Sequence, residues 1–517
     1  MANFLVLRDP KRNLLYIDKT ASIHRLISAN SFYFLSRPRR FGKSLLLSTL
    51  KALFGGRREL FEGLAISKTD YTFPTHPVVH LDLSAGRVSN RGEFEKILIQ
   101  KVQDWVEEHN ADFQVTNESP RACLKQLIQF LAKKGQVVLL IDEYDKPILD
   151  HLDDLEMAKM VREVLKDFYS VVKEQSDNLR FVMVTGVSKF SKVSLFSGLN
   201  NLVDISNIRD YADLLGFTQS ELDANFGPHM EVMATELDLS LEEVKDNLRI
   251  WYNGYRFSDK HIYVYNPVSV MRALSERRFA NFWFETATPT MLIKLIREDQ
   301  RFRIEDIGEE IGGHIAFDTF DLEALQLNAL LFQTGYLTIA ESVGRIERTY
   351  RLDFPNYEVR KSLFTYLIED LTRINRGFSA GPLIRCARAL TALDRDEFER
   401  VLKQDLFANI PYTLQMPYER YYQSLFHMLF VLLGLEIHAE VPTNRGRIDH
   451  LLKTEQHIFI FEMKFLRAAS EAIQQIKDKR YPSGFASDGR QVVLVGMSFE
   501  DSGLREVLFE LVPQQTK

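Results

Sequence analysis

The segment G-Q-V-V-L-L-I-D-E-Y-D, residues 135–145, places five aliphatic residues in unbroken succession ahead of two carboxylates. A strand with one wet face alternates apolar and polar residues. A continuous apolar run instead must be buried on both faces, and that is the condition of a strand inside a parallel sheet covered by helices. Two further runs share this character, S-F-Y-F-L-S (31–36) and N-L-R-F-V-M-V-T-G-V-S (178–188), and H-P-V-V-H-L-D-L-S (76–84) is another strand, with His80 and Asp82 breaking its apolar run. Stretches of helical periodicity lie between them, among them E-K-I-L-I-Q-K-V-Q-D-W-V-E-E-H and M-V-R-E-V-L-K-D-F-Y-S-V-V-K-E. Strands alternating with helices predict an α/β fold with a parallel sheet.

At 517 residues the chain exceeds one ordinary core; roughly 150 residues per domain suggests about three. The patterns divide it at 1–215, 216–408 and 409–517. The middle part is mostly helical. It ends in a helix, D-L-E-A-L-Q-L-N-A-L-L-F-Q-T-G, followed by two alternating strands about Val343 and Gly344, an arrangement resembling a winged helix. The last part runs from a helix at Y-E-R-Y-Y-Q-S-L-F-H-M-L-F-V-L-L-G into strands E-I-H-A-E-V, R-I-D-H-L-L-K and H-I-F-I-F-E-M-K-F, then a helix and the strand R-Q-V-V-L-V-G-M. A net charge of −6 speaks against a histone-like binder of polyanions, although a local basic groove can still hold nucleic acid. Two cysteines, Cys123 and Cys386, supply neither a disulfide framework nor a zinc cluster, which points to a reducing compartment. Charges interrupt every apolar run and the N-terminus lacks a signal-peptide layout, so the expectation is a cytoplasmic protein outside the membrane.

Two sets of residues carry chemistry. In R-P-R-R-F-G-K-S, residues 37–44, a strand leads through Gly42, Lys43 and Ser44 into an apolar helix. Backbone amides at such a turn point at phosphate oxygens, Lys43 reaches the outer phosphates and Ser44 holds Mg²⁺. Arg40, Phe41 and Leu45 complete the expected nucleotide-binding stretch. The first glycine of the G-x-x-x-x-G-K-[ST] pattern is replaced by Arg37. At the end of the 137–141 run, Asp142 is expected to orient Mg²⁺ and Glu143 to polarise the attacking water. Thr185, at the end of another strand, is expected to sense the terminal phosphate. Arg209 and Arg256 are candidates for an arginine acting across a subunit boundary.

In the last part, G-R-I-D is followed after twelve residues by E-M-K, giving Asp449, Glu462 and Lys464. Glu462 and Lys464 are two apart on a strand and share a face, while Phe461, Met463 and Phe465 share the other. A hairpin brings Asp449 beside Glu462, and two converging carboxylates make a hard-oxygen site for Mg²⁺ or Mn²⁺. Such a metal stabilises charge on a scissile phosphate and lowers the pKa of a bound water, with Lys464 orienting that water. Glu419 on the preceding helix is an accessory carboxylate. Gln475 and Lys479, four apart on one helical face, are candidates to contact a nucleic-acid backbone. His427, among apolar residues, reads as core.

The blocks Y-I-D-K-T, S-R-P-R-R-F-G-K-S-L-L-L-S-T-L, L-I-D-E-Y-D-K-P-I, G-V-S-K-F-S-K-V-S-L-F-S-G-L-N-N-L, W-Y-N-G-Y-R-F, Y-N-P-V-S-V and L-L-F-Q-T-G-Y-L-T-I together resemble the bacterial AAA-ATPase-like proteins that carry a C-terminal PD-(D/E)XK nuclease domain. In that family the R-P-R-R-F-G-K-S form of the loop is usual. The resemblance implies a P-loop NTPase-like sheet, a helical and winged-helix-like middle region and a restriction-endonuclease-like C-terminal domain. It further implies ATP with Mg²⁺ at Gly42, Lys43, Ser44, Asp142 and Glu143. Glu419, Gln475 and Lys479 match its nuclease motifs. The expected activity is ATP-dependent or ATP-regulated cleavage of DNA, with RNA as the other polynucleotide the residues allow, in defence against foreign DNA or in mobile-element or repair processes. The nucleotide state would be relayed through the middle region, and a homo-oligomer would supply the neighbour's arginine. The competing reading is a nucleotide-switched signalling or scaffold protein whose C-terminal domain binds without cleaving.

Overall fold

A computed structural model describes residues 3–84, 86–109, 111–115, 119–189, 195–196, 201–283, 310–311, 327–344, 348–372, 380–407, 419–432 and 436–513. Compactness divides the chain into two units, residues 1–291 with 308–359, and residues 292–307 with 360–517.

The first unit is built on five parallel strands: β1 (Phe32–Ser36), β2 (Val78–Asp82), β3 (Val137–Asp142), β4 (Leu179–Gly186) and β5 (Val203–Asp204), in the order β2-β3-β4-β1-β5. Every residue of β3 is buried, as the unbroken apolar run requires. Each of its five aliphatic side chains contributes about 1.5–3 kcal/mol on leaving water. Helices Arg91–Glu108, Pro120–Ala132 and Leu155–Glu174 pack their apolar stripes into this core. Because β1, β4 and β3 all run parallel, their C-terminal ends open on the same rim, and the phosphate-loop turn and Asp142 both lie at that rim.

A second cluster in the same unit joins helices Gln219–Leu237, Leu241–Tyr252 and Pro267–Glu276. The first two begin with reciprocal capping boxes, Thr218 with Glu221 and Ser240 with Glu243, which fix their starts where F-T-Q-S-E-L and L-S-L-E-E-V predict them. Helix Leu327–Thr334 leads into β7 (Thr338–Val343) and β8 (Thr349–Asp353), antiparallel to each other, with the short β6 (Glu310–Ile311) on the outer side of β8. The expected start of that helix, 321–326, lies outside the described residues.

The second unit holds a mixed sheet: β9 (Glu436–Thr443), β10 (Gly446–Lys453), β11 (His457–Phe465), β12 (Gln491–Glu500) and β13 (Gly503–Leu511), ordered β13-β12-β11-β10-β9. Only β11 and β12 run parallel, and the helix Ala469–Asp478 makes the crossover between them. Helix Glu419–Leu432 packs on the other side, its Phe426 ring against Phe461 and His450. Among the described residues no helix is long and apolar enough to cross a membrane.

Candidate functional site

In the first unit the loop between β1 and its helix takes its left-handed turns at Arg40 (φ 68°) and Gly42 (φ 96°), while Arg37 is not left-handed. The position where a glycine is expected therefore needs none. Arg37 is instead a buried post. Its guanidinium donates to the carbonyls of Ser36 (3.0 Å), Ser206 (2.6 Å) and Tyr211 (3.2 Å) and lies 4.1 Å from the Phe257 ring centre. Burial pulls its pKa down to about 9, with Asp204 opposing. Arg37 is turned into the fold, away from solvent.

Gly42 caps the helix Lys43–Phe54 with no side-chain partner, and the first turn carries no acid. The helix's N-terminal amides and dipole are thus turned toward an adjacent cavity, an arrangement that attracts anions. Lys43 is buried, with Nζ donating to the carbonyls of Arg37 (2.8 Å) and Pro38 (3.0 Å). Burial lowers its pKa, and Asp142, Asp145 and Glu143 oppose that shift. Asp142, at the end of β3, accepts from Thr185 Oγ1 at 2.6 Å and from the Glu143 amide at 3.0 Å. Glu143 is itself left-handed, φ 51°, a strained conformation for a side chain of its size. Its burial raises its pKa, while Lys43 holds it down.

Of these groups Gly42, Lys43 and Glu143, but not Asp142 or Thr185, border a cavity of about 470 Å³, within the range of small-molecule sites. Its lining combines Gly42, Lys43, Ser44 and Glu143 with the apolar side chains of Ile17, Leu214, Leu215 and Phe226 and with Tyr16. Arg40, Phe41 and Leu45 also border it. Of the two arginines considered as trans-acting, Arg256 is fully buried and donates to the carbonyls of Ser258 (3.0 Å) and Asp259 (2.7 Å). Arg209 is exposed and paired with Asp259.

In the second unit, β10 and β11 pair from Lys453 with Ile458 to His450 with Phe461. Beyond that point the Asp449 carboxylate accepts the Met463 amide at 2.8 Å, which brings it beside Glu462. Glu462 is 1 % exposed. Its Oε1 accepts from Lys464 Nζ at 3.0 Å and from Gln475 Nε2, while its Oε2 is buried with no hydrogen-bond partner. Lys464 also donates to the Met463 carbonyl at 2.8 Å. Glu419 accepts the Phe465 amide at 3.2 Å and lies 4.0 Å from Lys464. Burial raises the pKa of both Asp449 and Glu462, and for Glu462 the neighbouring Asp449 charge adds to it. Two acids sharing one buried pocket resist ionising together.

A family model described as "Predicted AAA-ATPase" matches residues 1–196, and one described as "PD-(D/E)XK nuclease superfamily" matches residues 417–506. A protein of Azotobacter chroococcum mcd 1, "Uncharacterized protein in vnfD 5'region", is 37% identical over 502 residues, covering 94% of this chain and 92% of that protein. The chain belongs to the AAA-ATPase-like family and carries a PD-(D/E)XK nuclease superfamily domain. No solved structure matches it.

The AAA-ATPase-like match contains Gly42, Lys43, Ser44, Asp142, Glu143 and Thr185, and the PD-(D/E)XK match contains Glu419, Asp449, Glu462, Lys464, Gln475 and Lys479. The nuclease-type pocket fits a hard divalent cation. The donors are carboxylate oxygens and Glu462 Oε2 is left without a partner, although among the described residues no group of three His, Cys, Asp or Glu side chains gathers as a metal site. Gln475 turns onto Glu462 itself, and Lys479 is exposed at the end of the same helix. Two further residues complete the pair of sites. Gln423, one turn beyond Glu419 on its helix, hydrogen-bonds Asp449. The i, i+4 spacing of Glu419 and Gln423 was the available sequence signal. In the AAA-ATPase-like domain, buried Asp145 accepts from the amides of Val187 (3.2 Å) and Ser188 (2.6 Å) and from Ser188 Oγ (2.6 Å), locking the turn after β4 to the end of β3. Nothing but its place in L-I-D-E-Y-D announces it.

Proposed function

We propose that this AAA-ATPase-like chain binds and hydrolyses ATP in its N-terminal cavity and cleaves phosphodiester bonds of DNA at its C-terminal carboxylate pair. The observation that carries the proposal is Glu462: a carboxylate almost wholly removed from water, one oxygen without a partner, beside a second carboxylate and a lysine. A domain that only binds has no use for so costly an arrangement.

In this reading residues 1–215 carry the nucleotide, 216–408 relay its state and 409–517 cut. Lys43 leaves the carbonyls of Arg37 and Pro38 for the outer phosphates, and the amides from Arg40 to Leu45 wrap them. Ser44 and Asp142 would hold Mg²⁺, Thr185 keeps Asp142 aimed, and Glu143 polarises the attacking water. At the second site Asp449 and Glu462 hold Mg²⁺ or Mn²⁺. When bound, a divalent cation supplies at either site positive charge opposite phosphate oxygens and acidifies water. Lys464 orients that water, Glu419 holds Lys464 in place, and Gln475 and Lys479 fix the scissile strand. The protein acts in the cytoplasm as a homo-oligomer, against foreign DNA or in mobile-element or repair processes. Two assays test this jointly: phosphate release by wild type and Lys43→Ala, and cleavage of single-stranded, double-stranded and branched DNA and of RNA with and without ATP. Phosphate release lost in Lys43→Ala, with DNA cleavage responding to ATP, supports the proposal. Turnover unaffected by Lys43→Ala, or no cleavage of any substrate, contradicts it.

A further inference from the structure

The R-P-R-R-F-G-K-S loop is gripped from outside by segments far from it in sequence, all within the first unit. The Arg39 carbonyl accepts from Trp283 Nε1 (3.3 Å) and Asn266 Nδ2 (3.4 Å). Arg40 Nη1 donates to the Phe282 carbonyl. The Phe41 ring sits edge-on to Tyr255 and Phe257, with centres 4.8 and 5.4 Å away. Pro38 presses on Gly335, where a Cβ would meet the proline ring at 2.5 Å. Tyr255 and Phe257 belong to W-Y-N-G-Y-R-F, Asn266 to Y-N-P-V-S-V and Gly335 to L-L-F-Q-T-G-Y, while Phe282 and Trp283 lie outside these blocks; the chemistry of the two sites assigns nothing to any of them.

One buried carboxylate ties the grip together. Glu358, in the first turn of the helix Tyr357–Thr372, is 0 % exposed. Its Oε1 accepts the amides of Phe282 (2.6 Å) and Trp283 (2.8 Å), and its Oε2 accepts from Ser269 Oγ (2.8 Å). Ser269 lies one turn into the helix that Asn266 caps, with Asn266 Oδ1 taking the amides of Val268 (3.1 Å) and Ser269 (3.3 Å). The same carboxylate thus fixes both elements that reach the Arg39 carbonyl, one of which also receives the Arg40 guanidinium.

We propose that Glu358 is a positioning residue of the nucleotide site, holding the Phe282–Trp283 strap and the Asn266-capped helix so that they clamp the phosphate loop in its binding shape. The inference rests on the reading of that loop as a phosphate cradle. The loop's left-handed turn at Arg40 falls on a non-glycine residue, and these neighbours hold the chain on both sides of it. Burying a carboxyl is costly without partners, and an apolar side chain would fill the space equally well if packing were its only task.

The test compares Glu358→Gln with Glu358→Met in the full chain. Glutamine keeps a carbonyl for the two amides and an NH₂ for Ser269, whereas methionine keeps only the volume. Hydrogen–deuterium exchange is read without nucleotide over residues 36–46, and affinity is read with fluorescently labelled ATP. In Glu358→Met, exchange of the loop rises about tenfold and affinity falls by a similar factor, the size of one or two lost hydrogen bonds, while the strands β1–β4 exchange as in wild type. Glu358→Gln restores both readings. Loop exchange unchanged in the methionine variant overturns the inference, as does a rise spread evenly over β1–β4 that glutamine fails to correct. Should Glu358→Met not fold, Trp283→Phe removes one donor to Arg39 and keeps the ring; loop exchange then rises in the same confined way, or the inference fails. Wild-type protein that binds no ATP would overturn the functional reading, while the exchange comparison still decides the clamp.

Discussion

Gly496 sits in β12 directly beside Glu462, and the crossover helix lies against it. A Cβ there would stand 2.3 Å from the Ala469 carbonyl oxygen and 2.9 Å from Ile473, where ordinary contact begins at 3.4 Å. In Gly496→Ala the backbone of the helix start must therefore withdraw by roughly 1 Å, an overpacking strain of about 1–3 kcal/mol. For a unit of this size each kcal/mol lowers the unfolding midpoint by about 2–4 °C. The same helix carries Gln475, whose Nε2 rests on Glu462 Oε1. A shift of that size breaks the hydrogen bond and lets the Glu462 carboxylate rotate. Misplacement by about 1 Å at a reacting centre costs on the order of a hundredfold in rate. Thermal unfolding and single-turnover cleavage with Mg²⁺, run on the same preparations, should show a drop of several degrees and a loss near two orders of magnitude. A Gly496→Ala protein with wild-type midpoint and wild-type cleavage would refute the placement of the helix and the role given to Gln475.

Lys43→Ala removes the cation that reaches the outer phosphates, and calorimetry with ATP should show affinity reduced about 10- to 100-fold, as expected for a charge-assisted hydrogen bond. Asp145→Ala leaves the amides of Val187 and Ser188 unpaired in the core; it should cost at least about 2 kcal/mol, read by denaturant unfolding, and Asp145→Asn should recover part of it. The Glu358 carboxyl titrates near 4.5 when the chain is unfolded and near about 7 when it is buried. The unfolded chain releases that proton first, so this group's contribution to stability is full below about pH 4.5, declines as pH rises and levels off above about 7. The total change is about 3 kcal/mol, and Glu358→Gln should flatten that slope in urea titrations across the window.

The sheet of the first unit was legible because burial on both faces leaves an unmistakable mark: Val137–Ile141 is apolar without a break, and all of it is buried. Strand β11 was equally plain, since the alternation in H-I-F-I-F-E-M-K-F placed Glu462 and Lys464 together, and the two touch. Strand β13 was missed. It is an edge strand, so only one neighbour orders it, and its Arg505, Glu506 and Glu510 disguise the apolar alternation. Among single residues, Arg37 stands in sequence only as the residue in place of a glycine; its burial against the Ser36, Ser206 and Tyr211 carbonyls and the Phe257 ring depends on segments far along the chain. Glu358 and Asp145 were invisible for a related reason. Their partners are backbone amides brought close by the chain's path, and an amide has no sequence signature.

The most direct test of the two-site reading is single-turnover cleavage of labelled double-stranded DNA by wild type and Glu462→Ala in Mg²⁺, in Mn²⁺ and in a chelator. Wild type should cut with either metal and stop in the chelator, and the variant should fall at least a thousandfold with its unfolding midpoint preserved. Cutting that survives the substitution, or that proceeds in the chelator, would contradict it.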